Sequence, residues 1–232
     1  MKKMTVVLFV TMMAVGAKAQ VYVQGGVNLA NITNTNSGGT DKNNLLTTFN
    51  VGVMSRFGLS PTFDLESGIL LSGKGAKAER YFGTNNSDFI KAKFNPLYLE
   101  VPLNAIVKIP LNVKSTSSIF FNAGPYIAVG VGGKSTNDNN ILGVQSSSSN
   151  KITFNNDNPL TSQQEDAGYN KFKRFDYGLN FGGGIDFGKF ILKANYGLGL
   201  SKIRSTQTNN TANDNNKYRT ISISAGIPLN RK

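Results

Sequence analysis

Period-2 alternation of apolar and polar residues, in runs of about ten and with no sustained helical period anywhere, is the feature that most limits what this chain can become. The clearest run spans Phe175 to Phe187. Phe175, Tyr177, Leu179, Phe181, Ile185 and Phe187 share one face, and Asp176, Asn180 and Asp186 stand among glycines on the other. Beyond Gly188-Lys189, Phe190, Leu192, Ala194, Tyr196, Leu198 and Leu200 oppose Ile191, Lys193, Asn195 and Ser201. The same rhythm marks Val21 to Leu29, Phe49 to Phe57, Phe63 to Lys74, Leu97 to Lys108, Ile119 to Val131 and Thr220 to Leu229. Eight strands are therefore expected. Pro96, Pro102 and Pro125 fall inside them and have no N–H for a ladder, so each is expected at a bulge or a strand end.

The connections alternate in length. Gly58 to Thr62, Pro110 to Ser117 and Gly188-Lys189 are short, whereas Thr33 to Leu46, Lys77 to Ile90, Gly133 to Lys173 and Arg204 to Asn216 are long and polar. Strict alternation of this kind marks an up-and-down barrel elaborated at one end. Either of two barrels would satisfy it, because a soluble lipocalin-like barrel also alternates, with its apolar face turned inward. The polar face separates them. A water-facing wall needs frequent charges, but here that face is mostly Gly, Asn and Ser with isolated Arg56, Glu66, Glu100, Asp186 and Lys193. Small residues and a few opposite charges suit the filled lumen of a narrow barrel. Phe57, Phe63, Phe175, Tyr177, Phe187 and Phe190 stand near strand ends on the apolar face, where interfacial rings belong. The expected fold is an all-β, eight-stranded antiparallel up-and-down transmembrane β-barrel with short periplasmic turns and long extracellular loops.

The N-terminus reads as an export signal. Lys2 and Lys3 precede an apolar run from Met4 to Gly16, and Ala17-Lys18-Ala19 fits the small-x-small cleavage rule. Residues 1–19 are expected to be removed, leaving 20–232 as the barrel domain of the outer membrane. Loss of Lys2, Lys3 and Lys18 lowers the formal charge from +12 to +9. Export argues against nucleic acid as the partner of this positive chain.

The chain has no His and no Cys, which removes Ser–His and Cys–His nucleophile systems, lipoprotein acylation and disulfides. A carboxylate pair, Glu66 with Glu100, is the remaining catalytic arrangement. The competing and preferred reading is a structural salt-bridge network in the lumen made by Arg56, Glu66, Glu100, Lys108 and Lys193. No enzyme activity, catalytic residue, cofactor or metal is expected. Asn137-Asp-Asn-Asn140 and Ala212-Asn-Asp-Asn-Asn216 offer oxygens, but neither has the ligand spacing of an EF-hand loop. Gly130-Val-Gly-Gly133 and Gly182-Gly-Gly184 lie on strands with no helix following, so they are read as bending and packing positions rather than a phosphate cradle.

Several segments resemble the PorT-like outer-membrane β-barrel family: Gly25-Gly-Val-Asn-Leu-Ala30, Tyr98-Leu-Glu-Val-Pro-Leu103, Asn122-Ala-Gly-Pro-Tyr126, Phe175-Asp-Tyr-Gly-Leu-Asn-Phe-Gly182 and Tyr196-Gly-Leu-Gly-Leu200. The resemblance spans the expected mature chain. It implies an outer-membrane barrel and, for one branch, an accessory part in a protein-secretion assembly. The sequence departs from such barrels at Ile227-Pro-Leu-Asn-Arg-Lys232, which lacks the terminal aromatic that assembly machinery usually reads.

Basic residues gather at the long-loop ends of the strands: Lys74, Lys77, Arg80, Lys91, Lys93, Lys171, Lys173, Arg174, Lys202, Arg204, Lys217 and Arg219, against Glu79, Asp88, Asp176 and Asp214. With those loops outward, this ring would lie level with lipopolysaccharide phosphates and hold them by charge-assisted hydrogen bonds. A merely solvated rim is the alternative. The insert from Gly133 to Lys173 has few apolar anchors, among them Ile141, Leu142, Val144, Ile152, Phe154 and Leu160, and is expected to be a mobile surface loop. The expected partners are outer-membrane lipid and lipopolysaccharide, with an envelope or secretion-system protein as a further candidate, and a monomeric barrel. A narrow channel or small-ligand porter is the least favoured function.

Overall fold

The computed structural model describes residues 19–33, 45–82, 87–111, 117–155, 171–203 and 216–229. The expected export signal lies outside these except for Ala19, which opens the first strand. Eight strands form the barrel wall: β1 (Ala19–Ile32), β2 (Leu46–Gly58), β3 (Phe63–Gly73), β5 (Asp88–Pro110), β6 (Ser118–Ile141), β10 (Phe175–Asp186), β11 (Ile191–Gly199) and β12 (Tyr218–Pro228). Four shorter ones, β4 (Ala76–Phe82), β7 (Val144–Lys151), β8 (Thr153–Asn155) and β9 (Lys171–Lys173), lie at the long-loop end.

All wall pairings are antiparallel. The order runs β5-β3-β2-β1-β12-β11-β10-β6, and a further pairing of β5 with β6 closes the ring. Closure removes the free edges that a membrane cannot tolerate, because hydrocarbon offers no partner to an unpaired N–H or C=O. The outward face is the apolar one: Leu192 is 46% exposed and Ile223 65%, while their neighbour Lys193 is buried. An apolar belt open on the outside with polar side chains sealed inside is the reverse of a soluble barrel.

The lumen is filled. Tyr22, Met54, Leu70, Ile106, Phe120 and Ile191 pack together on the short-turn side. Glycine makes room for the rings: a Cβ on Gly178 would strike the ring of Tyr126, and one on Gly184 that of Phe120. Phe187 and Phe190 stack at the Gly188-Lys189 turn, with ring centroids 4.4 Å apart.

The prolines fall elsewhere than expected. The one register shift of the β5–β6 ladder lies between Leu97 and Tyr98, beside Pro96. Pro102 and Pro125 sit mid-strand instead, at neither bulge nor end. The β3–β5 ladder is interrupted between Ser67↔Leu103 and Leu70↔Glu100, opposite Pro102, and the Ser67 hydroxyl donates to the Pro102 carbonyl at 2.8 Å. The β5–β6 ladder likewise skips from Pro102↔Tyr126 to Ala105↔Ala123, across Pro125. The missing N–H is accommodated by a local gap in the ladder.

The described parts of two long connections are strand rather than loop. Residues 77–82 and 88–90, expected as loop, pair β4 with the outer half of β5, from Ala76↔Phe94 through Phe82↔Asp88. The insert after Gly133, expected to be a mobile loop, continues β6 to Ile141 and returns as β7. It then turns inward. Ile152 and Phe172 are buried with Tyr98, Tyr126, Ala128, Ile203 and Tyr218, and Ile32, Phe94 and Phe154 pack against them. Few apolar residues suffice because they fill a mouth the barrel already provides, rather than building a core of their own. β4-β5-β6-β7 thus make a four-stranded sheet standing above the plugged barrel.

The lumen charge clusters and the outer basic face

The five residues expected as one lumen network are divided among three ion-pair groups. Arg56, Glu66 and Lys193 come together on the inward faces of β2, β3 and β11. Arg56 Nε donates to Glu66 Oε2 at 2.8 Å, Lys193 Nζ donates to Glu66 Oε1, and Arg56 Nη1 reaches Asp186 at 3.2 Å. Glu66 also accepts from the Tyr22 hydroxyl at 2.7 Å and Asn104 Nδ2 at 3.2 Å. The Arg56 guanidinium lies 4.3 Å from the Phe120 ring centroid. Glu66 is wholly buried with both oxygens engaged by donors. Glu66 and Glu100, read as a possible pair, are held by different cations, Glu66 by Arg56 and Lys193 and Glu100 by Lys74.

Glu100 belongs to a second group nearer the outer mouth. Lys74 Nζ lies 2.9 Å from Glu100 Oε2 and 2.8 Å from Asp176 Oδ2. Asp176 accepts further bonds from the Tyr126 hydroxyl at 3.1 Å and the Ser201 hydroxyl at 2.5 Å. By sequence Lys74 and Asp176 belong with the rim. Lys74 lies one residue past β3 and Asp176 near the start of β10, yet their side chains pair in the interior and Lys74 is 3% exposed. Lys108 forms the third group, 2.7 Å from Asp64 at the short-turn end and partly open to solvent.

The rim residues separate by face. On the β4–β5 hairpin, Lys77 stands opposite Lys93 and Glu79 opposite Lys91, so these four share a face with Tyr81 and Phe89. Arg80 lies on the other face, against Phe82 at 5.3 Å. Lys77 Nζ is 3.2 Å from Glu79, and Lys91 Nζ is 4.3 Å from the Phe89 ring centroid. Arg219 is committed to backbone, donating at 2.8 Å to the carbonyls of Gly199 and Tyr218. Lys173, Arg174, Lys202 and Lys217 are spread around the mouth, partly or fully exposed. Arg204 and the side chain of Lys171 lie outside the described residues.

Sequence reasoning missed Lys134 and Lys151. Below the register shift Tyr98 faces Gly130, and above it Leu97 faces Gly132. The extra residue turns the even positions of β6 to the other side, so Lys134 aligns with Asn95 and Lys151 with Lys134. Gly133, at φ 144°, takes a backbone conformation that side chains disfavour. The glycines at 130, 132 and 133 were the available signal. The face so assembled holds Lys77, Lys91, Lys93, Lys134 and Lys151 with Glu79 and Asp138. It continues the outward side of β5, where Leu99, Val101, Leu103 and Val107 are exposed.

This architecture defines an integral barrel of the bacterial outer membrane, crossing it with strands. The sequence matches the family model described as outer membrane protein beta-barrel domain over residues 13–205, and the chain belongs to that family. The match takes in β1 to β11, with β12 beyond it. Among solved structures the chain is similar to Ail, the attachment invasion locus protein of Yersinia pestis, at 16% identity and a TM-score of 0.40, covering 91% of this chain and 99% of that one. It is similar also to Neisserial surface protein A, at 12% identity and a TM-score of 0.41 with the same coverage. No curated protein matches it.

Proposed function

We propose that this protein is a non-enzymatic surface-interaction barrel whose outer sheet grips lipopolysaccharide phosphates. One observation carries the reading. The odd positions of β5 present apolar side chains outward through the membrane and then, on the same face, Lys93 and Lys91. Lys77, Lys134 and Lys151 flank them in register. A face that is apolar and then basic along one strand meets acyl chains first and headgroup phosphates next. Ammonium groups at that level make charge-assisted bonds to phosphate. Glu79 and Asp138 reduce the net charge of the patch but leave it positive.

The test replaces Lys77, Lys91, Lys93, Lys134 and Lys151 by Glu and measures lipid A retained on barrel purified from outer membranes. Retention is expected to fall about tenfold or more, as several charge-assisted contacts turn repulsive. Equal retention overturns the reading. A second reading rests on the PorT-like segments quoted above, chiefly Tyr98 to Leu103 and Asn122 to Tyr126. It makes the protein an accessory component of a secretion assembly, in which case solubilised membranes should yield a stoichiometric protein partner. The plugged mouth weighs against a channel or porter. Export by a signal cleaved after Ala19 belongs to the same proposal, and N-terminal sequencing of the membrane form should begin at Gln20.

A further inference from the structure

The outer sheet has two edges, β4 and β7, and they are built differently. β4 carries Lys77, Glu79 and Arg80 within seven residues, the charged dressing by which an exposed edge resists a further strand. β7 has no such guard. Val144 to Lys151 runs eight residues with no proline, no acid and one lysine, at its end. Its ladder to β6 is continuous from Ile141↔Val144 to Lys134↔Lys151, with no bulge to twist the edge away. All of it is exposed, and among the described residues nothing pairs with its outer side.

The ladder tells which backbone groups that edge offers. Ile152 N–H donates to the Gly133 carbonyl at 3.1 Å, in register with the β6–β7 pairs. Bonded and non-bonded pairs alternate in an antiparallel ladder, so Val144, Ser146, Ser148 and Asn150 turn their N–H and C=O toward β6. The tip agrees. Leu142 and Gly143, at φ 52° and 80°, form a two-residue turn that Ile141 and Val144 close as a bonded pair. Gln145, Ser147, Ser149 and Lys151 therefore aim their backbone donors and acceptors outward. The edge is also braced. Leu142 N–H donates to Asp88 Oδ1 at 3.0 Å, Asn140 Nδ2 to the Ser87 carbonyl at 2.7 Å, and Ser147 Oγ to Asp138 Oδ1 at 2.5 Å.

We infer that β7 is a docking edge for an extended segment of another protein, which adds antiparallel to the outer sheet as its fifth strand. Charge selects the segment. Lys151 and Lys134 stand exposed and opposite each other at the barrel end of the edge, and the rest of β7 is uncharged. The segment that fits carries a carboxylate at its N-terminal end, level with Lys151, and small uncharged residues beyond it. Main-chain bonds supply the affinity, and the carboxylate fixes direction and register. A second copy in the same membrane does not fit. Its β7 runs the same way, and a two-fold axis along the membrane normal sets like residues level with one another. The slanted bonds of a parallel ladder need them offset by one.

The probe is a capped octapeptide of six threonines opened by Glu and closed by Val. It is added to the full barrel in micelles free of lipopolysaccharide, so the outcome is independent of the phosphate reading. Amide hydrogen exchange is followed residue by residue. In the barrel alone, Gln145, Ser147, Ser149 and Lys151 should exchange fast and the residues between them slowly. With peptide at about twice its Kd, those four should slow about threefold. A peptide opened by Lys should bind about threefold more weakly, the size of one exposed ion pair. Ser149→Pro keeps every bond to β6, because the N–H it removes points away from that strand, yet it should abolish protection at Ser147 and Lys151. No protection with millimolar peptide, equal binding of the two peptides, or unaltered binding to Ser149→Pro overturns the inference. So does protection already present in the barrel alone, whether it rises with barrel concentration, as for a second copy, or does not, as for a segment of the same chain.

Discussion

The two halves of β5 are one continuous strand in two different solvents. From Leu97 to Val107 buried and exposed residues alternate almost without fault, with Tyr98, Glu100, Asn104 and Ile106 sealed inside and Leu99, Val101, Leu103 and Val107 outside. From Asp88 to Asn95 the alternation dissolves and most side chains are intermediate. The backbone is the same, and β6 pairs along both halves. What changes is the surroundings. The lower half separates hydrocarbon from a packed lumen, so a residue of the wrong polarity has no water to rescue it. The upper half stands beyond that belt with most side chains only partly covered, and its sequence is free to be basic. Burial contrast, rather than strand geometry, is therefore what the sequence pattern records.

The largest expected effect tests that contrast on one kind of residue. Glu66→Ala removes the carboxylate that binds Arg56, Lys193, the Tyr22 hydroxyl and Asn104. It leaves the buried Lys193 without its carboxylate and Arg56 with Asp186 alone, and breaking a buried pair in this way costs about 3–5 kcal/mol. Urea unfolding in micelles, followed by loss of the folded band on unheated gels, should show it. A change under about 1 kcal/mol would mean the lumen is wet enough to solvate Arg56 and Lys193, and the distinction between the two halves would weaken.

A smaller effect comes from placing one new charge in each region. Ile223 stands mid-strand on the lipid face between Val27 and Ala194. Ile223→Arg should destabilise the barrel by about 2–4 kcal/mol, as expected for a cation near the bilayer midplane. Leu142 is 87% exposed at the tip of the outer sheet. Leu142→Arg should stay within about 0.5 kcal/mol of the parent. Its φ of 52° also tolerates no β-branched replacement, which makes arginine the cleaner probe. Equal costs at the two positions would deny that lipid lies against Ile223.

The same physics decides how much was legible beforehand. The eight wall strands could be read because lipid and lumen impress opposite demands on successive residues. Lys193 among Leu192 and Ala194 is an unmistakable inward position. Arg56, Glu66 and Lys193 could be placed in the lumen by parity alone. Their division from Glu100 could not, since parity gives a face but no height. Lys74 shows the difficulty: one residue past the last strand position of β3, it reads as rim and yet reaches inward to Asp176. β4 and β7 were illegible for the opposite reason. Val144 to Lys151 is exposed throughout, so no burial contrast marks Gln145-Ser-Ser-Ser-Ser149 as a strand, and only its ladder to β6 makes it one. The plug was hidden because Ile152 and Phe172 are far apart in a polar insert and are brought together by the short parallel pairing of β8 with β9.

The smallest expected effect concerns Glu79, the counterpart of Glu66 on the open sheet. The hydrogen bond from Lys77 holds its carboxyl below the ordinary value of 4.5, with slight desolvation opposing and the Tyr81 hydroxyl assisting. A carboxyl whose pKa is depressed in the folded state keeps its pairing above the unfolded value and loses it as pH falls through the folded one. The pair therefore persists at neutral pH and is lost only in the acid range below the ordinary carboxylate value. The group is exposed, so global stability should not register the change. Anion binding should. Once Glu79 is protonated, Lys77 is released and the face becomes more positive. Dextran sulfate suits the measurement, because its own charge is constant across that window. Binding should tighten by roughly twofold as Glu79 titrates, the size of one exposed ion pair. Glu79→Gln should bind that tightly already at neutral pH and show a flatter rise in acid. A parent and a variant with superimposable pH profiles would place the bound anion away from the Lys77 and Lys93 row.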